Sequence, residues 1–595
     1  MPGACCLRWR NTIAVMRLLV LLLLVGSVAR PQQWPPQRDI PAGPADTLYY
    51  NGKIITMWDE RPVVESMTVS SGRVLDVGTT QIVGRKTGPR TRQVNLQGKT
   101  VLPGLNDSHV HPIRAALAEA DGEIPVLQSF EAVRRYIEAQ PPGQGLIFVP
   151  KVYSTRLRER RYPDRWEIDG YAKDRAVMLD NGYAAVLNSA ALKMAGISAE
   201  TPDPSNGKLL RNSAGEPTGL IIGARQLVAP LLQTRVQSHG EMVAALAAMQ
   251  RAYSEAGLTS VTDRSQSAAG FRAYQHLWQQ GKLRVRTSVT RLVNAERPIN
   301  EVLAEIEGIG AVTGHGDEMF RVGSLKVVLD GGILLGTAFM RAPYGRNTQV
   351  YGFEDADYRG ELRIRPSDLE QIVTLAARLG WQMTAHTTGG GSTDVLLDAY
   401  EAVNRKLPIT GRRFTLTHAN FLSGDAIRRA AALGVVADMQ PAWYHFDGPA
   451  LASVLGPSRM GTLQPFRSIL DAGVVVAGGS DHMIKFDARE AVNPFDPFFG
   501  MWIAVTRTTA DGAVHNPEQK ISREEALRMW TLNAAYLTFE EDVKGSLEPG
   551  KYADFVIVDR DILTCTEDEL RDTRVLATNL SGVEVYSTAE RAVPE

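Results

Sequence analysis

The sequence predicts an α/β fold: a (β/α)8 barrel with a subdomain inserted after its first strand and a small composite β-sandwich formed by the N- and C-terminal segments. Three observations predict it. Eight short strand-like runs alternate with helical patterns through the middle of the chain. That rhythm breaks once, between His111 and Thr259, over far more residues than one crossover needs. Both ends have the texture of short strands and tight turns, and neither end is large enough to fold alone.

The first residues read as a targeting segment. Arg8, Arg10 and Arg17 flank an apolar run from Leu18 to Val25, and Ser27-Val28-Ala29 supplies small residues. A signal peptide over 1–29, cleaved after Ala29, is expected. It implies a periplasmic or secreted protein with no stable membrane anchor after cleavage. Residues 30–45, rich in Pro and Gln, read as a linker. Cys5 and Cys6 would leave with the signal, so Cys565 would remain without an intrachain disulfide partner. Any metal would then be held by His, carboxylate or other oxygen ligands.

From Asp46 onward short strands such as Leu48-Tyr49-Tyr50, Lys53–Thr56, Ser66–Val69 and Arg73–Val77 alternate with the turn signals Asn51-Gly52 and Ser71-Gly72. Ala553–Val558 and Gly582–Tyr586 have the same texture at the far end. The composite sandwich is therefore assigned to 46–100 and 541–595, and the barrel to 101–540. Its strands are expected at Val101–Leu105, Thr259–Asp263, Arg284–Arg291, Ser324–Asp330, Trp381–His386, Phe414–His418, Val435–Gln440 and Val474–Ser480. Helical patterns include Glu241–Ala256, Ser367–Leu379 and Asp425–Leu433, with Ser367 and Glu370 at capping-box spacing. No Gly-rich dinucleotide fingerprint opens the first crossover, which favours a closed TIM-like barrel over an open sheet. The interruption is assigned to an inserted subdomain at about 124–237, placed near the barrel mouth as a lid.

The chain has 595 residues, 44% apolar and 22% charged, with a formal net charge of -1. This ordinary composition, without basic runs, argues against a nucleic-acid partner. The chemistry lies at the strand ends, where barrels of this kind place catalytic groups. His109 and His111 follow the first strand, and residues two apart in a strand face one side. Lys326 lies in the fourth strand, His386 and His418 end the fifth and sixth, and Asp481 follows the eighth. Converging imidazoles and a carboxylate are a divalent-metal site.

This set resembles the amidohydrolase superfamily. The flanks Gly98–Gly104 and Gly545–Asp554 extend the likeness. Asn188–Leu192, Gly215–Gly219, Gly257–Val261, Asp330–Gly332 and Gln440-Pro441 are similar to phrases of its amidohydrolase 3 branch, which includes N-substituted formamide deformylases. The resemblance implies a metal-dependent hydrolase of non-peptide carbon–nitrogen bonds, acting on a small-molecule amide. It implies that His109 and His111 bind a first metal, His386 and His418 a second, and that a carboxylated Lys326 bridges them. Asp481 would ligate the first metal and handle the proton of the attacking water. One or two zinc ions are expected, although the ligand types also suit manganese, iron or cobalt. A lactonase, esterase or isomerase on the same centre, or a binding protein on this scaffold, is the alternative. The chain departs from the branch at Tyr183, at Gly389-Gly390 and at Thr262-Asp263, where relatives carry His, Gly-Asp and His-Asp. Tyr183, Arg264, Trp443 and Tyr444 are expected to line the substrate pocket, with His445 and His482 near the mouth. The partner is a small-molecule substrate; a homodimer stays open.

Overall fold

The computed structural model describes residues 35–588, except 121, 144, 173, 204–206, 233–235, 346–347 and 353–354. The expected signal segment lies outside the described residues. Residues 35–44 have no regular secondary structure, but Arg38 is ion-paired with Glu548 at 2.7 Å, so this part of the expected linker is docked.

Eight parallel strands form the central sheet: β1 (Leu105–Val110), β2 (Leu258–Gln266), β3 (Arg286–Leu292), β4 (Phe320–Val328), β5 (Met383–Thr387), β6 (Thr415–His418), β7 (Val436–Met439) and β8 (Val476–Gly478). Spatial order follows chain order, and every neighbouring pair is parallel. Closure happens beyond β8. The Asp481 amide donates to the His109 carbonyl at 2.8 Å, the His111 amide donates to the His482 carbonyl at 2.8 Å, and Val110 bridges His482 in parallel. Gly479 permits this approach, since a Cβ there would stand 2.8 Å from the backbone nitrogen and Cβ of His109.

The first strand is displaced from its expected position. Val101–Leu102–Pro103 belong to a strand of the composite sandwich, and β1 is the more polar run that begins at Leu105. Gly104 separates the two; a Cβ there would fall 2.1 Å from Thr259 Oγ1. The apolar run drew the expectation because β1 carries Asn106, Asp107, Ser108 and His109 on buried positions. Those groups are buried because the barrel interior is itself polar. Ser108 donates to Asp438 at 2.6 Å, Arg264 to Ser324 at 3.2 Å, and Thr384 and Thr417 share a bond of 2.7 Å.

Helices between the strands follow ordinary capping. His239–Glu255 starts with a complete capping box of Ser238 and Glu241, and Gly424–Leu433 runs from a Ser423 cap to a left-handed Gly434. The expected box at Ser367 and Glu370 does not form. Pro366 occupies the first helical position and Arg365 the cap, so Ser367 already lies inside Pro366–Leu379.

The interruption after β1 folds around a five-stranded sheet, in the order Lys208–Arg211, Pro217–Ile222, Ala184–Leu187, Val177–Asp180 and Ile147–Pro150. Its alternating side chains feed two cores: Val177, Leu179 and Val186 on one face, Met178, Ala185 and Leu187 on the other. At the opposite end, Phe555–Val558 pairs antiparallel with Thr100–Pro103, so the chain termini share one sheet, and Tyr49, Val101, Leu547 and Phe555 share one core. Arg286 of β3 fastens that unit to the barrel. Its guanidinium grips Asp554 through two bonds of 2.7 and 3.0 Å, with both side chains almost wholly buried.

Asp554→Ala leaves Arg286 buried without its carboxylate and is expected to cost about 3–5 kcal/mol of stability. Urea unfolding measures it; a loss below about 1 kcal/mol would show that the pair does not fasten the unit.

Candidate metal centre

Barrel closure sets Asp481 against the two histidines at the end of β1. Asp481 Oδ1 lies 3.3 Å from His109 Nε2 and 3.1 Å from His111 Nε2. One ligand atom from each of the three residues falls within 4.8 Å of the other two, and all three residues are buried. The imidazoles of β5 and β6 continue the cluster. Ring centroids of His109 and His418 are 4.9 Å apart, and those of His418 and His386 are 4.4 Å apart. Lys326, buried in β4, acts electrostatically on both His109 and His418. The structure thus gathers His109, His111, Lys326, His386, His418 and Asp481 at one end of the barrel.

The ring nitrogens follow a rule. His109 Nδ1 meets Asp438 at 3.1 Å, His386 Nδ1 meets Asp330 at 2.9 Å, and His418 Nδ1 meets the Gln440 side-chain oxygen at 2.7 Å. Each acceptor holds the proton on Nδ1 and leaves a lone pair on Nε2, the arrangement of metal-ligating imidazoles. His109 Nε2 is buried with no hydrogen-bond partner among the described residues. An orphaned acceptor of that kind is costly unless something binds it. Two nitrogens about 3 Å from a shared carboxylate oxygen also match the ~3.3 Å edge of a tetrahedron with ~2.0–2.1 Å bonds. On these grounds the residues fit a divalent ion.

Electrostatics agree. Burial, then Lys326, holds His109 well below the ordinary imidazole range; burial, then His386, does the same for His418. Neutral imidazole is the form that ligates. Burial pushes Lys326 down to about 8. The backbone is left-handed at His418 (φ 74°), Ala419 (φ 44°) and Asp481 (φ 54°). Such conformations cost about 1–3 kcal/mol each and persist where the surroundings impose them.

The orienting carboxylates are saturated. Asp438 accepts from Ser108, His109 and Gln440 and is ion-paired with Arg264. Asp330 accepts from His386, Ser392 and the amides of Phe339, Thr388 and Gly389. Neither was singled out as a site residue from sequence, although an acid inside the apolar run Val436-Ala437-Asp438-Met439 was a usable signal, because a buried carboxylate needs partners.

Several expected pocket residues stand elsewhere. Arg264 is 1% exposed, donates to the Ser108 carbonyl and Ser324, and is ion-paired with Asp438 at 3.2 Å. It belongs to the polar barrel interior, because a buried guanidinium must be met by fixed acceptors. Tyr444 is fully buried, with its hydroxyl committed to the backbone of Arg507 and His515. His482 uses both ring nitrogens, on the Tyr253 hydroxyl and the Lys485 carbonyl. His445 bonds the Thr508 carbonyl. Trp443 does reach the cluster: its ring stands 5.8 Å from that of His418, and its buried indole nitrogen has no partner among the described residues. Tyr183 is bonded to Glu361, which joins the inserted sheet to the crossover after β4. At Gly390 the Arg341 guanidinium fills the space a side chain would need, 2.3 Å from a Cβ built there, and pairs with Asp394. A side chain at Gly390 would require the Arg341 guanidinium to move.

The sequence profile of the amidohydrolase family matches residues 92–586. The chain is 29% identical over 557 residues to an N-substituted formamide deformylase of Arthrobacter pascens, covering 91% of this chain and 98% of that one. It is 30% identical over 579 residues to the protein LONG AFTER FAR-RED 3 of Arabidopsis thaliana, covering 92% of each. An uncharacterized metal-dependent hydrolase from Pyrococcus horikoshii OT3 shares the fold, with a TM-score of 0.64 at 24% identity, covering 88% of this chain and 99% of that one.

Asp438→Asn removes the charge that orients His109 and is expected to weaken divalent-ion affinity about 10–100-fold. Competition against a chromophoric chelator measures it; unchanged affinity would remove Asp438 from the centre.

Proposed function

The chain belongs to the amidohydrolase family, and from that premise we propose that it hydrolyses a carbon–nitrogen bond in a small-molecule amide with one or two divalent ions, zinc first among them. The observation that supports this best is the convergence of His109, His111 and Asp481, beside which Asp438, Asp330 and Gln440 fix the tautomers of His109, His386 and His418 from behind. A bound divalent ion supplies Lewis acidity, lowering the pKa of water from ~15.7 to ~7 and polarising the scissile carbonyl.

The chain's own residues supply the rest. Asp481 Oδ1, beside both Nε2 atoms, accepts the proton of the attacking water and returns it to the leaving nitrogen. Buried His109 and His418 stay neutral and so keep their lone pairs. Lys326 is proposed to bridge as a carbamate. Its amine must be neutral to attack carbon dioxide, forming an N–C bond and releasing a proton, and burial favours that neutral form. Trp443 walls the His418 side and offers an indole N–H to substrate. The name of the Arthrobacter relative makes N-substituted formamides the first class to test. Export to the periplasm or beyond is proposed from the arginine-flanked apolar segment at the N-terminus.

The test is turnover of N-substituted formamides, N-acyl amines and cyclic amides by metal-loaded protein, with lactones and esters alongside. Amide hydrolysis is expected to require the ion and to fall about 10²–10⁴-fold in Asp481→Asn. Unchanged turnover in that variant, or ester cleavage without amide cleavage, would contradict the assignment. Lys326→Ala is expected to lose bound metal, with partial recovery on adding short carboxylic acids; full metal content without them would exclude the bridging carbamate.

A further inference from the structure

We propose that Asn493 and Arg156 position Asp481, so that the inserted unit forms part of the centre; the proposal rests on the role given to Asp481 above. Asn493 is 1% exposed and follows the strand end that carries Asp481. Its Nδ2 donates to the Asp481 carbonyl at 2.9 Å and approaches Asp481 Oδ2 at 3.4 Å. It therefore holds the backbone and the outer carboxylate oxygen of a residue in left-handed conformation, and leaves Oδ1 to the imidazoles.

An amide can do this only if its nitrogen faces Asp481. Arg156 imposes that orientation, because its Nη2 donates to Asn493 Oδ1 at 3.3 Å. Arg156 comes from the inserted unit, in the short turn Ser154–Arg156. It is fixed in turn by Asp447, by the Val492 carbonyl and by the face of Phe446. Asp447 lies in the helix that follows β7, is fully buried, and also accepts from Thr155 at 2.8 Å. Withdrawing the inserted unit would strand that carboxylate without its cation, which is strongly unfavourable. The unit is thus held against the helix after β7 and the segment after β8 by Thr155 and Arg156. One relay runs from it through Arg156 and Asn493 to the Asp481 carboxylate.

The test uses cobalt-substituted full-length protein and the variants Asn493→Ala, Arg156→Lys and Arg156→Gln combined with Asp447→Asn, the last avoiding a stranded charge. Each is expected to shift the cobalt visible spectrum, weaken cobalt affinity about tenfold or more, and lower kcat more than it raises KM. Adding Arg156→Lys to Asn493→Ala should add nothing further, since both act through one contact. Folded variants with the parental spectrum and affinity, or additive losses, would overturn the relay. Because the spectrum and affinity need no substrate, the relay is judged even if the amide panel gives no turnover.

Discussion

The centre depends on how the barrel closes. β8 ends at Gly478, and the chain beyond it, not the strand itself, bonds to the end of β1 through the amides of Asp481 and His111. The first bond joins two candidate ligands, Asp481 and His109, and the second joins His111 to His482, the neighbour of Asp481. Closure of the fold thus brings the backbone of Asp481 to the strand end that carries the two imidazoles. Gly479 lets the two backbones meet, and the left-handed turn at Asp481 is stabilised by both the seam and the Asn493 contact.

A second requirement follows from burial. Imidazoles, a lysine and a carboxylate cannot be packed at a strand end unless their remaining polar atoms are met. The barrel interior meets them with Asp438, Arg264, Ser108 and Ser324 below the cluster, and with Asp330 gathering three backbone amides and Ser392 beside it. Asp438 and Asp330, together with Gln440, fix which nitrogen of His109, His386 and His418 is free. Among the described residues His109 Nε2 is buried and unmatched, which points to what the arrangement is built to hold.

Much of this was legible in the sequence because strands of a buried parallel sheet are short apolar runs. Seven of the eight barrel strands fall where those runs predict, and His386 and His418 stand at strand ends as read. β1 was misplaced because its inward side chains are polar and the apolar run before it pairs with the C-terminal strands instead. Arg264 looked like a pocket residue because nothing local reveals that its carboxylate partner arrives from β7. Asn493 and Arg156 were invisible for the same reason: their meeting depends on how the inserted unit docks, which no periodicity encodes.

Imidazole nitrogen and carboxylate oxygen, without sulfur, are proposed to hold a divalent ion at the seam of the barrel. X-ray absorption at the zinc edge of the reconstituted protein tests it most directly. A nitrogen/oxygen shell at about 2.0–2.1 Å with outer-shell scattering from imidazole is expected. A sulfur shell at about 2.3 Å, or no imidazole scattering, would contradict it.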